Sequence, residues 1–135
     1  MKVDGSCHCG AIAYTAEVDS GKVTFCHGND CQILAGSAFA LAAPAATGSF
    51  RLTKGEPVVY IKKTAASGRH RAPASCTVGA TRVYVSSVNV DPPQITLRAS
   101  PIHHQLRDLA PKRQIWCSAA LDWAKIDSPE RVAEQ

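Results

Sequence analysis

The stretch Ile12–Val18, reading IAYTAEV, decides the fold. Ile12, Tyr14, Ala16 and Val18 alternate with Ala13, Thr15 and Glu17, and a period of two is the pattern of a strand with one face buried and one in water. The same alternation returns in Phe50 and Leu52 against Arg51 and Thr53, in Val83 and Val85 against Arg82 and Tyr84, and in Ile95 and Leu97 against Thr96 and Arg98. Turn signals separate these runs: Gly21-Lys22, Thr47-Gly48-Ser49, Lys54-Gly55-Glu56-Pro57, Ser67-Gly68 and Asp91-Pro92-Pro93. Strands at such short intervals predict an all-β, antiparallel chain. No repeat, linker or low-complexity segment interrupts it, and 135 residues suit one core, so residues 1–135 are expected to form a single domain.

Two short helical pieces are expected beside the strands. Asp30 can cap a turn through Ile33 and Leu34 that Gly36 ends, and Ser128-Pro129-Glu130 reads as a helix start near the C-terminus. The first would place Cys31 at the N-terminal end of a turn, where backbone N–H groups favour a thiolate. The plainer alternative is a small buried cysteine in an ordinary turn.

Hydrophobic residues make up 45% of the chain and charged residues 19%, an ordinary globular balance that excludes a disordered chain. The excess of 15 Lys and Arg over 11 Asp and Glu gives +4, too mild and too dispersed to indicate nucleic-acid binding but compatible with small anionic ligands. MKVDGSCHCG at the N-terminus lacks the apolar run of a secretory signal, and the small-apolar run from Leu34 to Ala46 is broken by Gly36 and Pro44. A cytoplasmic protein that does not enter a membrane is therefore expected. In that compartment its six cysteines are read as thiols or metal ligands and not as disulfides.

Five of the cysteines fall into suggestive groups. Cys7 and Cys9 are two apart, so a strand sends both sulfurs to one face, and a bend at Gly10 can bring both onto one ion. Phe25–Cys31 reads FCHGNDC, with Gly28 between Cys26 and Cys31, and Cys76 opens the later stretch CTVG.

The order GSCHCGAIAY, FCHGNDCQILAGSAFA, KGEPVVY, ASCTVGA, QIW resembles the glutathione-dependent formaldehyde-activating family of small zinc proteins, from Gly5 to about Trp123. The resemblance implies several coiled antiparallel sheets with short helical turns, and two zinc ions. One ion would sit in a closed structural site of four cysteines, from the C-x-C and a late C-x-x-C. The other would be held by three thiolates of a C-x-C-x-x-C run, with a position open to a substrate sulfur. The implied activity is that of a carbon–sulfur lyase acting on the adduct of glutathione and formaldehyde, with glutathione as co-substrate and its thiolate activated by zinc.

This sequence departs from the pattern once in each site. Gly28 stands where the middle cysteine of the catalytic run belongs, and Gly79 where the second cysteine of the late pair belongs. The structural set is thus Cys7, Cys9 and Cys76, and the catalytic set Cys26 and Cys31. One zinc or none is expected, not two, and the three-thiolate set should be the stronger. His8, His27, His103 and His104 are candidate replacement ligands, although His8 and His27 each follow a cysteine and on a strand would face the other way. Cys117 reads as a core thiol. Lys62, Lys63, Arg69, His70 and Arg71 can meet the carboxylates of glutathione or simply form a solvated hairpin. Trp116, Trp123 and Phe39 can line a pocket or fill the core.

Two readings follow, with a small thiol or thiol adduct as partner in either. The first is a zinc-assisted carbon–sulfur lyase. The second is a non-catalytic relative that keeps the fold as a binding or structural module with degenerate zinc sites. A zinc-ribbon-like nucleic-acid binder is disfavoured, because no concentrated basic stripe is present.

Overall fold

The computed structural model describes residues 1–63, 65, 67–127 and 130–134. Among them lie the strands β1 (Lys2–Ser6), β2 (Ala13–Glu17), β3 (Thr24–Cys26), β4 (Ala40–Pro44), β5 (Arg51–Lys54), β6 (Val58–Val59), β7 (Arg71–Ser75), β8 (Arg82–Ser87), β9 (Ile95–Arg98), β10 (Arg113–Ile115) and β11 (Glu130–Arg131). One short helix, α1 (Asn29–Ala35), and 3-10 turns at Ser20–Lys22, His103–Asp108 and Cys117–Ala119 accompany them. The all-β class expected from the alternation is the class that forms. Among the described residues no helix is long and apolar enough to cross a membrane.

β1, β2 and β5 make a small antiparallel sheet, and the rest form an eight-stranded sheet in the order β11-β10-β3-β4-β9-β8-β7-β6. The pairings from β3 to β6 are antiparallel, whereas β10 runs parallel to both β3 and β11. Local alternation cannot reveal a parallel partner so distant in the chain, because it fixes which face a residue takes and not which strand lies alongside. Ser128 and Pro129, the expected start of a C-terminal helix, lie outside the described residues. Glu130 and Arg131 are strand, paired with Arg113 and Gln114.

The core lies between the sheets. Val3, Tyr14 and Ala16 from the small sheet meet Ala43, Val83 and Leu97 from the large one, with Ile102 and Leu109 closing the end. Burying each large aliphatic side chain contributes about 1.5–3 kcal/mol. Tyr14 lies across its cross-strand partner Gly5, where any Cβ would run into the phenol ring, so this position needs glycine. Leu52, expected inside, is 40% exposed, as β5 is the edge of the small sheet. Phe50 packs instead, stacked between Tyr14 and Tyr84 at ring distances of 5.5 and 4.7 Å.

Alternation in the large sheet builds a second face. Ala43 and Leu97 enter the core, so Ala42 and Pro44 of β4 and Thr96 and Arg98 of β9 point the other way, into a cavity. Cross-strand pairing aligns Arg113, Thr24, Ala42 and Arg98 in one row on that cavity face. A neighbouring pair, Ile115 and Cys26, lies beside it. Small residues at the centre of the row leave the space that the cavity occupies.

Candidate functional site

The cavity, of about 920 Å³, lies over this sheet face and is flanked by α1 and by the chain between β6 and β7. Cys26 enters it from the end of β3, and Cys31 from the first turn of α1. Asp30 does not cap this helix. Gly28 holds the cap position without a side-chain bond, and Asp30 sits inside the first turn with a carboxylate oxygen 3.1 Å from Lys62 Nζ. Gly36 ends the helix as expected, in left-handed conformation with φ of 62°. A helix this short is not stable alone, and side chains from elsewhere hold it. Gln32 Nε2 donates to the carbonyls of His27 (2.8 Å) and Ala119 (3.0 Å), and Arg82 Nε donates to the Leu34 carbonyl at 3.0 Å.

Cys26 and Cys31 share one proton. The Cys26 thiol donates to the Cys31 sulfur, which holds Cys31 down at about 6 against the opposing effect of burial, with further help from Arg98 and Lys62. Cys26 is correspondingly pushed far above the ordinary thiol range by this bond and by burial. A lowered Cys31 was expected from its place in α1, but its partner sulfur and the cations lower it, where the sequence had pointed to the helix end.

Lys62, Arg69 and Arg71 of the basic stretch line the cavity, and Lys63 and His70 are exposed. Arg98 and Arg113 join them, residues that the sequence motifs did not single out although the alternation of β9 already set Arg98 opposite Leu97. The cations crowd one another: burial, with Arg69 and Arg98 nearby, pulls Arg71 below the usual guanidinium range. Asp30 offsets Lys62, but the cluster as a whole favours an anion.

A zinc ion does not fit the cavity on protein ligands alone. Among the described residues no third cysteine, histidine, aspartate or glutamate donor joins Cys26 and Cys31 within 4.8 Å. Gly28 is where one would come from, since a Cβ built there lies 3.7 Å from Cys26 Sγ and in ordinary contact with Trp116. His27 does not replace it. Its side chain is fully buried on the far side of β3, with Nε2 2.9 Å from Gln114 Oε1 and the ring edge-on to Phe39.

The other cysteine set does converge. Cys7 Sγ lies 3.4 Å from Cys9 Sγ, which lies 3.5 Å from Cys76 Sγ, and all three fall within 4.8 Å of one another. Thiolates around tetrahedral zinc stand about 3.8 Å apart, so these three sulfurs fit three corners of one ion. Backbone amides point at them: Ile12 N–H donates to Cys7 Sγ at 3.1 Å, and the Val78 and Gly79 N–H groups donate to Cys76 Sγ at 3.4 and 3.3 Å. Those two amides hold Cys76 down at about 7. The Ala11 amide acts likewise on Cys9, but the adjoining Cys7 and Cys76 sulfurs outweigh it and leave Cys9 raised. The two loops are tied together by the His8 N–H, which donates to Thr81 Oγ1 at 3.0 Å.

The remaining candidates fall elsewhere. His8 is exposed, and His104 Nε2 contacts Asp4 Oδ1 at 3.2 Å on the surface beside the exposed His103. Cys117 is half-buried and not a core thiol, its sulfur 3.5 Å from the Gln114 carbonyl. Trp116 lines the cavity, Phe39 packs on Phe25 with ring centres 4.9 Å apart, and Trp123 is 78% exposed, in neither core nor cavity.

No curated protein matches the chain significantly. A crystal structure of a protein from Rhodobacter sphaeroides is similar in fold, with a TM-score of 0.56 and 18% identity over 73% of this chain and 85% of that one. A family model described as glutathione-dependent formaldehyde-activating enzyme matches residues 2–119. With that match spanning most of its length, the chain belongs to the glutathione-dependent formaldehyde-activating enzyme family.

Proposed function

We propose that the cavity over Cys26 and Cys31 binds glutathione or a closely similar anionic thiol, and that the chain acts on its formaldehyde adduct as a carbon–sulfur lyase. The single observation that carries this reading is the convergence of Lys62, Arg69, Arg71 and Arg98 around a low-lying thiolate in one cavity. The guanidinium groups suit the two carboxylates of glutathione, each able to accept a forked pair of hydrogen bonds. In the cleavage direction Cys31 thiolate takes the proton from the adduct's hydroxyl, the carbonyl forms, and the carbon–sulfur bond breaks to release a thiolate beside Arg98. The reverse sequence makes the adduct.

Zinc has no step in this cavity, because two sulfurs do not make a site there. It belongs by chemistry to Cys7, Cys9 and Cys76, where it would tie β1 and its following turn to the β7–β8 connection and add binding free energy to the fold.

A second reading rests on Gly28. With the middle ligand gone, the cavity can keep its thiol-binding role without turnover, as a binding module. Calorimetry with glutathione and an assay of adduct formation and breakdown separate the two. Binding that Arg98→Met weakens, with turnover that Cys31→Ala abolishes, is the expected result. Binding without turnover establishes the module, and absence of binding removes both readings of the cavity.

A further inference from the structure

The three-sulfur cluster lies at the surface on one side. Cys9, Val78 and Gly79 are all exposed, Val78 by 76%, whereas Cys7 and Cys76 are buried. A Cβ built on Gly79 would stand 3.0 Å from Cys9 Sγ and 3.1 Å from Cys9 Cβ, so the side-chain direction at position 79 runs straight at the cluster. Among the described residues no other cysteine, histidine or carboxylate donor lies within 4.8 Å of all three sulfurs to take its place.

From this geometry we infer that a divalent metal held by Cys7, Cys9 and Cys76 keeps an exchangeable fourth position at the surface and takes a low-molecular-weight thiol there in place of water. Where a four-cysteine set is closed and purely structural, this one is open. Three thiolates make the ion soft and favour a sulfur donor as the fourth. In the exchange, the thiol gives its proton to solvent, its sulfur bonds to the metal, and the bound water leaves. The added negative charge is tolerable because amides of Ile12, Val78 and Gly79 already donate to the protein sulfurs. The inference concerns the cluster alone and does not depend on what the Cys26–Cys31 cavity binds.

The test loads the full chain with cobalt(II) and follows its visible and sulfur-to-metal absorption while β-mercaptoethanol is added. A Cys26→Ala, Cys31→Ala background confines the signal to the cluster. A saturable spectral change is expected in the unaltered chain and in this background, and Gly79→Cys should lose the response by filling the corner from within. Because the new Cβ would press on Cys9, Gly79→Cys is paired with X-ray absorption of the unaltered, zinc-loaded chain. Three sulfurs and one light atom should become four sulfurs on addition of thiol. Four sulfurs before any thiol is added, no spectral response to thiol, or no cobalt bound by the background variant would each overturn the inference.

Discussion

Replacing Cys26 by alanine tests the chemistry of the cavity at its centre. The Cys26 thiol is the largest influence holding Cys31 near 6, ahead of Arg98 and Lys62. At pH 7 a thiol with a midpoint at about 6 is about 0.9 ionised, against about 0.01 for an ordinary thiol near 9. Reactivity gains less than that ratio of roughly 90, because a weaker base is a weaker nucleophile. With a Brønsted slope of about 0.4–0.5, three units cost roughly 15- to 30-fold, leaving Cys31 about three- to sixfold faster than an ordinary thiol at neutral pH. Cys26→Ala removes the donated proton but leaves burial in force, and the midpoint should rise by about one to two units. The thiolate fraction at pH 7 then falls to between about 0.1 and 0.5. The assay is the rate of iodoacetamide alkylation at Cys31 against pH, with the site of labelling read by mass spectrometry. A midpoint unmoved by Cys26→Ala would refute the shared proton. A midpoint near 9 in the unaltered chain would refute the cationic cavity as its setting.

Two further outcomes concern stability. The Tyr14 hydroxyl is buried without a partner, and burial pushes the phenol above its ordinary 10.0, with the charge of Asp4 adding to the effect. The neutral phenol's contribution is therefore complete below that value and is lost as pH rises past it. Tyr14→Phe should be neutral or stabilising by about 1 kcal/mol in denaturant melts and should reduce the loss of stability as pH rises above about 10; a clear destabilisation would mean the hydroxyl has a partner. Arg82 bonds the Leu34 carbonyl of α1 at 3.0 Å and Ser75 Oγ, beside Cys76, at 3.2 Å. Arg82→Ala should cost about 2 kcal/mol and move the Cys31 alkylation midpoint toward that of an ordinary thiol; an unchanged melt and midpoint would remove Arg82 as the tie that holds the helix.

Much of the site is written locally. The alternation of β2, β4 and β9 sorts each residue to one face, so the burial of Ile12, Tyr14, Ala16 and Leu97 follows from the period of two, as does the turning of Cys26 away from His27. The C-x-C pair needs only the bend at Gly10, whose N–H donates to the Cys7 carbonyl at 3.0 Å, to converge. The gaps at Gly28 and Gly79 are likewise plain, because a glycine supplies no ligand in any fold.

Tertiary structure decided what those local pieces meet. A strand's pleat sets a face, but only register and strand order set neighbours, and these depend on contacts far apart in sequence. Cys76 comes 3.5 Å from Cys9 across 67 positions, and the row from Arg113 through Thr24 and Ala42 to Arg98 exists only because β10 docks parallel to β3. The same docking buries His27 against Gln114, which takes the nearest histidine away from Cys26. Residue type and period thus named the sulfurs, and long-range pairing chose the cations around one pair and brought Cys76 to the other as its third sulfur.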